Sequence, residues 1–129
     1  MPVQYVIYPR YGLVVSTGEG RVTFAESRAH QDKLLSDPEF HPEFNQLLDG
    51  TAVTDYALSA DEIKIIVGRN LFSPTSRRAL VVTSTFLYGI GRMLQTYLEL
   101  SKAASPASIF PDRASALKWL EVPEDSGLF

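Results

Sequence analysis

The sequence predicts an α/β fold: one mostly parallel sheet with an antiparallel hairpin at its start, in the order β-β-α-β-α-β-α-β-α. Three observations carry this. Short segments rich in β-branched and aromatic residues alternate with longer segments of helical spacing. Two Ser/Thr-x-x-Glu patterns mark helix starts. The first two strand-like segments are separated only by Pro9-Arg10-Tyr11, whereas each later pair is separated by a helix that has to cross over before the next strand begins.

The hairpin consists of VQYVIY (Val3 to Tyr8) and GLVVSTG (Gly12 to Gly18). Thr23-Phe24-Ala25-Glu26 is a capping box, so a helix runs from there to about Leu35, where Asp37-Pro38 stops it. The prolines of SDPEFHPEF leave a loop with Phe40 and Phe44 turned inward. FNQLLDGTA (Phe44 to Ala52) is the third strand, closed by Asp49-Gly50. Ser59-Ala60-Asp61-Glu62 opens a helix from Ala60 to about Asn70. SPTSRR is a turn, and ALVVTS is a strand apolar on both faces. A long helix then spans about Thr85 to Ala103, with Phe86, Ile90, Met93, Leu94, Tyr97 and Leu98 at helical spacing. ASIF (Ala107 to Phe110) is the last strand, and Asp112 caps the last helix. Residues 1–122 form a single domain, and 123–129, inside an acidic, proline-interrupted segment, are expected to be a flexible tail.

Composition removes several function classes. With 129 residues, 45% of them hydrophobic, the chain can close one core. No segment approaches the ~18 uninterrupted apolar residues of a membrane span. The N-terminus lacks the basic and apolar regions of a secretory signal, so a cytoplasmic location is expected. Cysteine is absent, excluding disulfides, thiolate metal sites and cysteine nucleophiles. A net charge of -3 gives no global attraction to nucleic acid. His30 and His41 lack ligand spacing, so neither a metal nor another cofactor is expected.

STFLYGIGRML (Ser84 to Leu94) invites comparison with a phosphate loop. A dinucleotide fingerprint needs its first glycine in the turn directly after the strand; here Gly89 and Gly91 fall a turn inside the helix, and Leu94 occupies the third glycine position. Each glycine costs a helix about 1 kcal/mol relative to alanine, so close packing is the expected reason for them. The alternative is that Tyr88, Gly89, Gly91 and Arg92 line a subunit interface of a homodimer or a ligand cleft. Arg77 and Arg78 precede a buried strand: they fit a solvated turn, or else place one guanidinium on each side, where an arginine can help hold an anion. Ser59 caps a helix, and a phosphate there would meet Asp61 and Glu62. The carboxylates Glu19, Asp49 and Asp55 show no spacing that pairs them for acid-base work.

LLDGTAVTDYALSADEI, with the strand-helix order, resembles the STAS family of sulphate-transporter and anti-sigma-antagonist domains, in particular its SpoIIAA-like group. By that resemblance Asp49 corresponds to the strand-end aspartate and Ser59 to the helix-start residue that a partner kinase can phosphorylate. Leu58-Ser59-Ala60-Asp61 stands where that family carries Asp-Ser-Ser/Thr-Gly. FSPTSRRALVV, YGIGRM and FPDRASALKWL are similar to a group of small uncharacterised bacterial STAS-like proteins, a layout shared with the lipid-binding SEC14 fold. The resemblance implies a non-enzymatic regulatory or protein-interaction module that docks through Asp55 to Glu62. The alternative expectation is a carrier of a small molecule or lipid, with an apolar cleft near Phe86, Tyr88, Ile90 and Tyr97.

Overall fold

A five-stranded sheet in the order β1-β2-β3-β4-β5 organises the computed structural model, which describes residues 2–100 and 106–129. The chain runs β1 (Val3–Tyr8), β2 (Leu13–Thr23), α1 (Phe24–Leu35), β3 (Asn45–Ala57), α2 (Ala60–Gly68), β4 (Arg78–Val81), α3 (Thr85–Leu100), β5 (Ala107–Phe110) and α4 (Arg113–Trp119). β1 is antiparallel to β2, and the other neighbours are parallel, as predicted.

The sequential strand order sorts the helices. Each parallel crossover steps to the next strand in the same direction, and because such crossovers are right-handed, all three must cover the same face. α1, α2 and α3 therefore share one side, and α4 takes the other. Strand alternation divides the residues accordingly. Leu13, Val15, Leu47, Ala79 and Val81 pack against Ala116, Leu117, Leu120 and Val122 on the α4 side. Val14 and Leu80 face the helical triplet, in clusters with Leu34 and Phe72 and with Ile63 and Leu98.

Both predicted capping boxes form. Thr23 accepts from the Glu26 amide at 3.3 Å, and Ser59 from the Glu62 amide at 3.1 Å, while each glutamate accepts from the cap residue's own amide. α2 ends at Gly68 rather than Asn70, whose φ of 51° is left-handed. β2 and β3 outrun their predicted ends at Gly18 and Ala52 because neither glycine signal there is a stop. β2 continues through two register shifts between Thr17 and Arg21, with Gly20 at φ 63°. Gly50 sits within β3, where an added Cβ would come within 3.3 Å of the Val81 carbonyl oxygen. β4 is shorter than ALVVTS, closing at Val81. The predicted end of the third helix at Ala103 lies outside the described residues. Within 123–129, Glu124–Ser126 form a 3-10 turn and Leu128 packs on the α4-side core.

The two glycines of α3 differ in role. A Cβ on buried Gly91 would come within 3.3 Å of Ile109 Cδ1, so this glycine seats the helix on β5. Gly89 is exposed, with nothing within 4 Å of the equivalent position. Packing thus explains one glycine and not the other. Gly89→Ala is expected to raise stability by about 0.5–1 kcal/mol, since it adds helix propensity in open space. Gly91→Leu is expected to lower it by about 1–3 kcal/mol through overpacking. Urea-unfolding midpoints of the two variants check both signs.

Candidate functional site

The helical-triplet face of the sheet carries a polar row in apolar surroundings. In register across the sheet, Val14 of β2 lies beside Gln46 of β3, which lies beside Arg78 of β4; two residues along, Ser16 lies beside Leu48, which lies beside Leu80. Gln46 thus touches a direct neighbour, Arg78, and a diagonal one, Ser16. Arg78 Nε and Nη2 both donate to Gln46 Oε1, at 3.0 and 2.7 Å. Gln46 Nε2 donates to Ser16 Oγ at 3.0 Å, and Ser16 Oγ lies 3.0 Å from His30 Nε2 of α1. Ser16, Gln46 and His30 are 1%, 2% and 7% exposed, so each bond offsets a desolvation cost of about 1–3 kcal/mol.

Donor and acceptor chemistry gives the row a direction. A guanidinium only donates, so Gln46 must present its oxygen to Arg78 and its amide nitrogen to Ser16. The Ser16 hydroxyl accepts from Gln46 and keeps its own hydrogen to give, and His30 Nε2 is assigned as its acceptor. His30 is then the neutral tautomer protonated at Nδ1. Electrostatics agrees: burial first, and the Arg78 charge second, bring the His30 pKa from 6.5 down to about 4. Burial brings the Arg78 pKa down to about 10, which leaves it charged at neutral pH. The Phe72 ring lies against the guanidinium, 4.6 Å from Cζ to centroid, and the Tyr5 ring meets His30 edge-on at 5.6 Å.

The row forms one wall of a cavity of about 170 Å³ between the sheet and α1, α2 and α3. Leu34, Leu48, Tyr56, Val67, Leu87 and Leu94 supply much of the apolar lining. Gly18, Gly50 and Gly91 border it without contributing side chains. Burial pushes the Tyr56 phenol up to about 12, so it stays neutral.

No family model matches the sequence, and no curated protein matches it. Among solved structures, it is similar to an uncharacterized protein of the DUF3478 family from Shewanella loihica PV-4, described as having a SpoIIAA-like fold. The two share 18% identity, with a TM-score of 0.61 over 92% of this chain and 91% of the other. The fold is SpoIIAA-like. That likeness fixes the architecture and leaves function to the site.

On the SpoIIAA-like scaffold the expected site residues fall in separate places. Asp49 points to the α4 side, accepting from Arg113 Nη2 at 2.8 Å and from the Thr51 amide and hydroxyl. Burial opposes its charge, but these bonds outweigh burial and hold its pKa below the usual carboxylate value. Asp55 lies within β3, facing Arg21 at 3.7 Å in an exposed ion pair, so the loop expected between Ala52 and Ala60 shrinks to Leu58-Ser59. Ser59 is exposed with its hydroxyl engaged as the α2 cap, and Asp61 is exposed in the first turn.

Arg77 and Arg78 do not lie on a solvated turn. Arg77 reaches the α4 side, donating to the Trp119 carbonyl at 2.7 Å and lying 3.5 Å from Glu121, while Arg78 enters β4 and faces the cavity. α3 presents Leu87, Ile90, Gly91, Leu94 and Leu98 to that space. The cleft predicted near Tyr88 and Tyr97 is thus rotated: Tyr88 is 49% exposed, Gly89 and Arg92 are exposed beside it, and Tyr97 packs beside Lys64. The Phe86 side chain lies outside the described residues.

Ser16, His30 and Gln46 are the residues that sequence reasoning missed. Their signal is a polar residue at an inward position: Ser16 alternates with Val14, Gln46 with Leu48, and His30 precedes Leu34 by four residues on the buried face of α1. The Ser16–His30 distance resembles a nucleophile and its base. Among the described residues, however, no carboxylate orients His30 from behind, and Ser16 accepts a hydrogen bond from Gln46. The arrangement positions donors and acceptors.

His30 makes stability depend on pH. In the unfolded chain it binds a proton near pH 6.5, and in the folded protein only near pH 4, so between these values the unfolded state holds more protons. Acidification through that window is expected to remove up to roughly 3 kcal/mol of stability. His30→Gln, which keeps an acceptor for Ser16 without titrating, is expected to lose that part of the slope in urea midpoints measured from pH 7.5 to 4.5.

Proposed function

We propose that this SpoIIAA-like protein is a non-enzymatic binding module for a small, mainly apolar molecule held between the sheet and α1, α2 and α3. The observation that carries this reading is the cavity itself: about 170 Å³ of space lined chiefly by apolar side chains, with a few convergent polar groups on one wall. An apolar cavity of ~150 Å³ suffices for benzene, so this one holds an aromatic ring or an alkyl chain, and its open side lets a larger molecule extend outward. Docking through Asp55, Ser59 and Asp61 is supported less well, because those side chains serve an exposed ion pair and a helix start. A regulatory role is compatible with the binding reading: a ligand between α1, α2 and α3 would change how these helices sit and thereby what they offer a protein partner.

N-phenyl-1-naphthylamine, an uncharged dye that brightens in apolar surroundings, is expected to bind with one-to-one stoichiometry. Leu94→Trp, which fills the cavity from α3, is expected to weaken that binding at least tenfold while circular dichroism shows a folded protein. Absence of dye binding to the unmodified chain would defeat the reading.

A further inference from the structure

Arg78 is the one cation among the described cavity-lining residues, and no carboxylate lies within ion-pair distance of it. The four ion pairs among the described residues involve other arginines, and Asp49, the acid bordering the cavity, is turned to Arg113 on the far side of the sheet. Burial is the cause of the lowered Arg78 pKa. Arg78 is half-buried, and a cation partly withdrawn from water without a counter-ion gains from pairing with an anion.

The hydrogen-bond geometry shows which part of Arg78 remains available. A guanidinium carries five donor hydrogens, and Gln46 Oε1 takes two of them, one from Nε and one from Nη2, along the side edge of the fork. Nη1 has no protein partner among the described residues, and no fully buried side-chain nitrogen or oxygen among them lacks one, so Nη1 keeps some open surface. The end edge of the fork, Nη1–H beside the second Nη2–H, is thus open on a residue that lines the cavity. Two parallel donors on one planar edge match the two oxygens of a carboxylate. Gln46 fixes the plane through Ser16 and His30, and Phe72 covers one face, so the edge is oriented in advance.

We propose that the occupant of the cavity is an amphipathic monocarboxylate, its apolar body among Leu48, Leu87 and Leu94 and its carboxylate held end-on by Arg78. The single lining cation matches one negative charge better than the two of a phosphomonoester. Arg78, Gln46, Ser16 and His30 then form one unit: Arg78 binds, and the others hold its plane. This assignment rests on the binding reading above and adds the chemistry of the head group.

The test is displacement of N-phenyl-1-naphthylamine from the full chain at pH 8 by octanoate and by 1-octanol, which share a chain length and differ in the head. Octanoate is expected to compete about tenfold or more better than octanol. Arg78→Gln is expected to abolish that preference while dye and octanol still bind. Equal competition by the two in the unmodified chain, or a preference that survives Arg78→Gln, would overturn the carboxylate assignment and leave the cavity reading standing. Failure of the dye to bind at all would overturn both. Should Arg78→Gln not fold, Arg78→Lys keeps the charge without the planar fork; a reduced octanoate preference supports end-on pairing, and an undiminished one overturns it.

Discussion

The paired hydrogen bonds from Arg78 to the side-chain oxygen of Gln46 set the chemistry of the whole helical-triplet face. A guanidinium cannot accept, so this contact fixes which way round the Gln46 amide lies, and that orientation passes to Ser16 and His30. The row begins at a fixed cation and ends at a neutral imidazole. Reversing the Gln46 amide would set its NH2 against the guanidinium donors, at a cost of about 1–3 kcal/mol for each buried group left unsatisfied. Strand register makes the contact available: Arg78 and Gln46 are paired across β4 and β3, and Ser16 lies one diagonal step away on β2. The interaction is local in space yet joins four elements distant in sequence.

The topology decides where this row lies. With strands in sequential order, three crossovers must cover one face, and the short α4 is left to cover the other with help from the chain beyond it. Arg77 and Arg78 straddle that division. Their side chains point to opposite faces because strand side chains alternate, so one ends on the Trp119 carbonyl at the surface of the α4 side while the other faces the interior cavity. α1 and α2, which border the cavity, are tied by Arg69, which donates to Asp32 and to Gln31.

Much of the fold was legible because its signals are local. Both capping boxes, the hairpin around Pro9 and the final Asp112 cap depend on residues a few positions apart, and each appears where the pattern places it. Strand ends were less legible: Gly18 and Gly50 read as turns, yet one lies beside a bulge and the other at a close approach to β4. The candidate site was the least legible part. Ser16, Gln46 and Arg78 become neighbours only through register, which no local motif encodes, and the phase of α3 depends on which flank of the helix the sheet takes. Ile90 borders the cavity, whereas Tyr88 lies on the exposed side.

Stability does not explain why such a row exists. Replacing a buried charged or polar network by well-packed apolar side chains is often neutral or stabilising, and here Val14, Leu48 and Leu80 show that the same face accommodates aliphatic residues in adjoining register positions. Filling the cavity would likewise add dispersion contacts that the glycines and short side chains around it forgo. Neither feature adds to the stability of the fold by itself. Each acquires a reason if something with one negative end and an apolar body completes the core, because the molecule that fills the space also neutralises the charge, and neither half of that arrangement works without the other.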